Sequence, residues 1–188
     1  MRRWLVLFVV GAAVLACSEE SITLATLPAT DGATAPIRCT KPTDCPNGTF
    51  CERTTCGDAA GTCELVPVGC GNEEKPVCGC DGITYFDDCL RRADAVTAST
   101  PGPCRVDKAV TCGGPTATPC PSGAMCGRLL SPKMGCQADP LGSCWVVPST
   151  CPAPSGERWD LCGGGAECRG LCDAIRGGGT YKRAGFCP

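Results

Sequence analysis

The most reactive side chains in this sequence are its cysteines, which number 21, while histidine is absent. Cysteine sulfurs bind zinc, catalyse redox exchange or join in disulfides. Zinc sites typically use Cys-x2–4-Cys pairs, often with histidine, and thioredoxin-like redox motifs use Cys-x2-Cys; the sequence has no histidine and no Cys-x2-Cys pair. Without histidine there is also no Ser-His or Cys-His pair for nucleophilic catalysis. The sequence therefore predicts a disulfide-rich protein that is not an enzyme and has neither a metal nor another cofactor.

The N-terminus, MRRWLVLFVVGAAVLACS, predicts export. Arg2 and Arg3 form a positive segment, an apolar run follows to Leu15, and small Ala16 ends it. The run is too short to span a bilayer, which takes about 20 residues. Residues 1–16 are therefore predicted to be a signal peptide, and disulfides persist in the oxidising compartments to which such proteins go. The net charge of −2 indicates no nucleic-acid partner.

Cys17 stands apart from the other cysteines and has a different predicted fate. The segment VLAC resembles the lipobox of bacterial lipoproteins, which implies a lipid on Cys17, attachment to a membrane and a place in the bacterial cell envelope. Leu15 is bulkier than the residue preferred there, and the alternative is ordinary cleavage after Ala16 with release outside the cell. The remaining 20 cysteines can pair evenly, whereas Cys17 has no obvious partner, so we expect lipidation.

Beyond Cys17 the chain divides into a tether and two cysteine-rich units. Residues 17–38 are rich in Thr, Ala and Pro and predict a flexible tether. The next 20 cysteines form two sets of ten with similar spacings, and CPNGTFC in the first matches CPSGAMC in the second. This internal duplication predicts a first unit with a cysteine-rich knot at 39–62 and a longer half at 63–104, and a diverged second unit at 112–187, with five disulfides in each unit. We expect the protein to be a monomer.

The stretch from Pro76 to Cys89, PVCGCDGITYFDDC, carries the most specific pattern. Its PVCG, DG and TY elements, with the spacing from Cys70 to Cys104, resemble the Kazal family of serine-protease inhibitors. The resemblance implies a small disulfide-rich fold, with a β-hairpin and a short helix, over residues 63–104. The family's fifth cysteine is missing from the helix. By analogy Cys80 replaces it, which implies three bridges: Cys63–Cys80, Cys70–Cys89 and Cys78–Cys104.

The residues of this stretch predict the same elements independently. Asp81-Gly82 indicates a tight turn, followed by a β-prone segment that ends at Tyr85. Asp87 or Asp88 is expected to cap a helix. The apolar periodicity places one set of helix residues on a buried face, Cys89, Ala93 and Val96, and another set outside, Arg91, Arg92 and Asp94.

The resemblance assigns a protease-binding loop after Cys70. In the family, a disulfide-braced loop enters the protease like a substrate, and its specificity residue corresponds to Asn72. The loop residues are Gly71, Asn72, Glu73, Glu74 and Lys75. Asp87 stands where the family often has a bracing Asn, and an ionised carboxylate accepts hydrogen bonds but does not donate them.

Two functions are therefore compatible with the sequence: an inhibitor of a serine endopeptidase, or a non-inhibitory cysteine-rich module for surface binding or spacing. In the second unit the equivalent position is Ala153, followed by Pro154, which disfavours docking to a protease. There Cys168 is expected to substitute for Cys80. We expect this unit to have no inhibitory role.

Overall fold

A computed structural model describes residues 35–154, 156–165 and 167–187. The predicted signal peptide, Cys17 and the tether up to residue 34 lie outside the described residues. Ten disulfides join all the cysteines from Cys39 to Cys187. The small disulfide-rich fold is thus confirmed, and no bridge crosses between the two units.

The bridges of the first unit differ from the resemblance in one place. Cys70–Cys89 and Cys78–Cys104 are both present. The expected Cys63–Cys80 bridge is wrong: Cys63 pairs with Cys45, and Cys80 pairs with Cys56. The third bridge of the Kazal-like segment therefore ties it to the preceding knot.

The physical reason lies in the sheet of that knot. Strands β1 (Arg38–Cys39), β2 (Thr49–Glu52) and β3 (Gly61–Leu65) form an antiparallel sheet in the order β1-β3-β2, with a 3-10 turn at Pro42–Asp44 between β1 and β2. Cys63 lies in β3 directly opposite Cys51. Because β3 holds Cys63 in one sheet with β1 and β2, its sulfur meets Cys45, and Cys80 is left for Cys56.

The Kazal-like segment forms a hairpin, a helix and a closing strand. Strands β4 (Val77–Gly79) and β5 (Thr84–Tyr85) pair antiparallel around the Asp81-Gly82 turn, where Gly82 has a φ of +78°. Helix α1 (Asp88–Ala93) follows, and β6 (Ala98–Pro101) returns to pair with β4. The expected turn, strand and helix are all present in the predicted order.

The second unit builds most of a larger sheet. Its strands are β7 (Thr111–Gly113), β8 (Met125–Leu130), β9 (Leu141–Val146), β10 (Glu157–Leu161) and β11 (Thr180–Phe186), with helix α2 (Leu171–Arg176) before β11. The strand order is β10-β11-β8-β9-β5-β4-β6, with β7 also on β9. The parallel pair β5–β9 therefore joins the two units in one eight-stranded sheet.

The bridges of the second unit also differ from expectation. Cys168 pairs with the final cysteine, Cys187, and Cys162 pairs with Cys136. By partner, Cys162 takes the role of Cys80, so the expected substitution by Cys168 is wrong. The strand β10 ends one residue before Cys162, which places this cysteine rather than Cys168 at the start of the turn.

The apolar core also spans both units. Phe86, which follows β5, is fully buried against Trp145, Ile175 and Tyr181 of the second unit. A neighbouring cluster joins Tyr85 of the first unit to Cys144 of the second. The described residues of the two units therefore fold around shared apolar contacts as well as cross-links.

Candidate functional site

The candidate protease-binding loop is an exposed segment between two disulfide anchors. Residues 71–75 are all exposed and lie outside helices and strands. Bridge Cys70–Cys89 ties the start of the loop to helix α1, and bridge Cys78–Cys104 ties the strand after it. These anchors bring the predicted loop residues together on one side of the Kazal-like segment.

Backbone hydrogen bonds hold the second half of the loop. The Lys75 amide donates to the Phe86 carbonyl at 3.1 Å and to the Glu73 carbonyl at 2.9 Å. The Gly102 amide donates to the Pro76 carbonyl at 2.8 Å. Since Phe86 is buried in the shared core, the loop is hydrogen-bonded to that core at Lys75.

The first half of the loop is held less tightly. Among the residues that the structure describes, neither Gly71 nor Asn72 has a hydrogen-bond partner. An open groove of about 270 Å³ separates the loop from the start of α1 and is lined by Gly71, Glu73, Lys75, Asp87, Asp88 and Cys89. Asn72 is therefore exposed to solvent, and no hydrogen bond across the groove supports it among the described residues.

Asp87 explains the missing brace. Its carboxylate accepts a hydrogen bond from the Leu90 amide at 2.8 Å and so caps α1, as the sequence predicts. A carboxylate engaged in this way has no donor to offer the loop carbonyls across the groove. The residue that the resemblance relates to loop bracing serves the helix instead.

Charge on the loop is only partly balanced. The Lys75 Nζ lies 2.8 Å from the Glu73 Oε1, and both side chains are about seven-tenths exposed (71% and 72%). Such exposed pairs add little stability. Burial, followed by repulsion from Glu157 of the second unit, raises the pKa of Glu74. The two neighbouring glutamates thus have different environments.

The hairpin behind the loop is fixed by polar contacts. The Tyr85 hydroxyl donates to an Asp81 carboxylate oxygen at 2.8 Å, and the Ile83 amide donates to the other at 3.0 Å. The buried Thr84 hydroxyl accepts from the Cys104 amide at 2.9 Å. Burial, with the hydrogen bond to Asp81, raises the pKa of Tyr85 strongly.

Helix α1 has a buried cation that the sequence pattern did not predict. Arg91, expected on the outside, has a side chain only 4% exposed. Its guanidinium contacts the Glu52 carboxylate at 2.8 Å, the Asp88 carboxylate at 2.7 Å and the Val96 carbonyl. The expectation was wrong because Glu52 of the knot contacts this face of α1. In the sequence, only the three-residue spacing of Asp88 and Arg91 could have indicated their ion pair.

The equivalent loop of the second unit has a different form. Bridge Cys151–Cys172 matches Cys70–Cys89 in position, and Ala153 and Pro154 are exposed. The residue after Pro154 lies outside the described part of the chain.

Within the described part of the chain, the two helices α1 and α2 are each six residues long, far below the length that crosses a membrane.

Comparison with known proteins supports a Kazal-like domain in part of the chain. No family model matches the chain. Over 48 residues, the chain is 38% identical to serine protease inhibitor Kazal-type 1 from Canis lupus familiaris, an alignment that covers 22% of this chain and 84% of that protein. Through the matched segment, the chain belongs to the family of Kazal-type serine protease inhibitors.

Proposed function

We propose that the protein is an exported inhibitor of a serine endopeptidase, which it binds through the loop around Asn72. The observation that carries the proposal is an exposed loop anchored by Cys70–Cys89 and Cys78–Cys104 in a segment similar to a Kazal-type inhibitor. Disulfide anchors reduce the ordering that binding requires, which favours affinity. The proposed role of the loop is binding and not turnover.

The side chain at position 72 limits the choice of protease. Trypsin-like specificity pockets prefer Lys or Arg, and chymotrypsin-like pockets prefer a large apolar group. An amide buried in such a pocket without partners costs about 1–3 kcal/mol. We therefore expect the natural target to have a pocket with polar groups that pair with the amide of Asn72.

The proposal is tested by changing Asn72 in the full chain. Asn72→Lys is expected to tighten trypsin binding by about 100-fold or more, because a lysine ammonium meets the acidic group of that pocket. Ala153→Lys is the matched control in the second unit, where Pro154 follows the changed residue, and it should leave the inhibition constant unchanged. Rapid cleavage of the Asn72→Lys loop without a long-lived complex would contradict an inhibitory geometry.

A second candidate function, a non-inhibitory binding or spacer module, is favoured by the open groove behind the loop. Asp87→Asn separates the two candidates, because an Asn side chain still accepts from the helix and adds an N–H donor facing the groove. Combined with Asn72→Lys, it should slow cleavage by trypsin and tighten binding about fivefold further, the value of one hydrogen bond. An unchanged cleavage rate would favour the spacer function.

We further propose that Cys17 carries a lipid that anchors the protein to a bacterial envelope membrane. Ten disulfides fit an exported protein, since such bridges persist in oxidising compartments. Cys17→Ser should abolish fatty-acid labelling and release the protein into the soluble fraction, because acyl chains contribute about 0.8 kcal/mol per buried CH₂. The same partitioning for Cys17→Ser and the natural chain would indicate simple signal cleavage.

A further inference from the structure

A cavity of about 550 Å³ lies between the candidate loop and the second unit. The loop side contributes Glu74 and Pro76, and the segment linking the two units contributes Val106. The second unit contributes a largely apolar wall, which includes Leu141, Trp145 and Trp159. The volume is in the range of small-molecule sites, which are mostly apolar with a few convergent polar groups.

The apolar part of the cavity is open to solvent. Val106 and Leu141 are 90% and 67% exposed, although both are apolar. Trp145 and Trp159 lie deeper, at 3% and 8% exposure. The Trp145 indole N–H donates to the Ser143 hydroxyl, whereas the Trp159 indole N–H has no acceptor among the described residues. The cavity thus combines exposed apolar surface that a ligand would cover with two largely buried indole rings in its wall.

The charges around the cavity leave one carboxylate without a partner. Glu157 pairs with Arg183 at 2.6 Å, and Glu73 pairs with Lys75 outside the cavity. Glu74 has no ion-pair partner among the residues that the structure describes, and it faces repulsion from Glu157. A cation beside Glu74 would meet an unbalanced negative potential next to an apolar wall.

We propose that this cavity binds an organic ammonium ion with an apolar body. The ammonium group lies against the Glu74 carboxylate, and the apolar body covers Val106 and Leu141 above the tryptophan wall. Cations are also attracted to indole rings, which adds to the preference for positive charge. The ligand is either a free amine or a lysine side chain of another protein, since both present the same chemistry.

The test uses the exported protein without the predicted signal peptide at 1–16, so that Trp145 and Trp159 of the cavity wall are the tryptophans that report binding. The probe is 2-phenylethylammonium, and the matched neutral probe is 2-phenylethanol. We expect a saturable fluorescence change with the ammonium probe and about tenfold weaker binding of the alcohol. A third titration, with N-acetyl-lysine methylamide, distinguishes the two sources. Binding of this compound supports a lysine side chain, and binding of the phenyl probe alone supports a free amine.

The charge requirement is tested on Glu74. Glu74→Gln should weaken ammonium binding about threefold or more and leave alcohol binding unchanged, because only the charge is removed. Glu73→Gln, one residue away and outside the cavity, should change neither affinity. Equal affinities for ammonium and alcohol, or no saturable signal, would overturn the proposal. No protease takes part in these titrations, so their result is independent of the inhibitory function.

Discussion

The buried pair between Arg91 and Glu52 gives a sharp prediction about stability, because it joins helix α1 to the N-terminal knot. The Arg91 side chain is 4% exposed and Glu52 is 21% exposed. Burial alone would lower the pKa of Arg91, but hydrogen bonds to Asp88 and Glu52 outweigh it and the pKa is raised. These carboxylates therefore stabilise a guanidinium that stays charged inside the fold.

We expect Glu52→Ala to lower the free energy of unfolding by about 3 kcal/mol, the lower end for breaking a buried ion pair. The lower end applies because Asp88 remains 2.7 Å from Arg91 and is itself 58% exposed. For a protein of this size, the melting temperature should fall by about 6–12 °C. The measurement is thermal and urea unfolding with the disulfides intact.

The matched control is Glu64→Ala, which removes the partner of Arg92. That pair is longer, at 3.5 Å, and its side chains are 35% and 46% exposed. Its loss should change the free energy of unfolding by about 0–1 kcal/mol. The double variant Glu52→Leu/Arg91→Met should regain most of the lost stability, because it leaves no buried charge unpaired. Equal losses for Glu52→Ala and Glu64→Ala would refute the reasoning.

Three other changes test separate features. In Cys80→Ser, thiol labelling should mark Cys56, whereas a label on Cys63 would support the pairing implied by the resemblance. Removing both Cys56 and Cys80 should lower the free energy of unfolding by about 3–4 kcal/mol, because the bridge no longer closes a loop with a sequence separation of 24 in the unfolded chain. Asp87→Ala should lower it by about 1 kcal/mol in urea unfolding through loss of the helix cap, and Asp87→Asn should lower it less. Because the pKa of Glu74 is raised, the folded state binds this proton more tightly than the unfolded state does. The contribution of Glu74 to the free energy of unfolding therefore falls as the pH rises from the unfolded pKa near 4.5 through the folded pKa. Glu74→Gln should therefore be more stable than the natural chain at neutral pH, and the two should converge in acid; a difference that persists in acid would contradict the assignment.

Local features of the Kazal-like segment were predictable from the sequence because short-range chemistry determines them. Asp81-Gly82 forms its turn because Gly82 takes a positive φ, and Asp87 caps α1 because its carboxylate reaches an amide three residues on. The exposed position of the loop around Asn72 also follows from the nearby anchors. The inhibitory role of that loop stays a prediction.

Features that depend on distant residues were not predictable. The partner of Cys63 is decided by β3, whose neighbours come from earlier strands. The burial of Arg91 is decided by Glu52, which lies 39 residues away in the chain. The environment of Glu74 is decided by Glu157 of the second unit. No local pattern contains these contacts, so the burial of a helix residue such as Arg91 and the electrostatic environment of a loop residue such as Glu74 follow only from the fold.

The parallel pairing of β5 with β9 has a consequence for how the protein reaches its native state. Thr84 lies beside Trp145, so β5, the edge strand of the first unit's part of the sheet, lacks its second neighbour until β9 of the second unit is in place. Contacts between such distant residues slow folding, since the intervening chain must close before they form. A shortened chain that ends at Cys104 would present β5 as an open edge beside an uncovered Phe86, and exposed edges of this kind template aggregation. The inhibitor-like segment is thus expected to need its C-terminal neighbour as an intramolecular chaperone during oxidative folding.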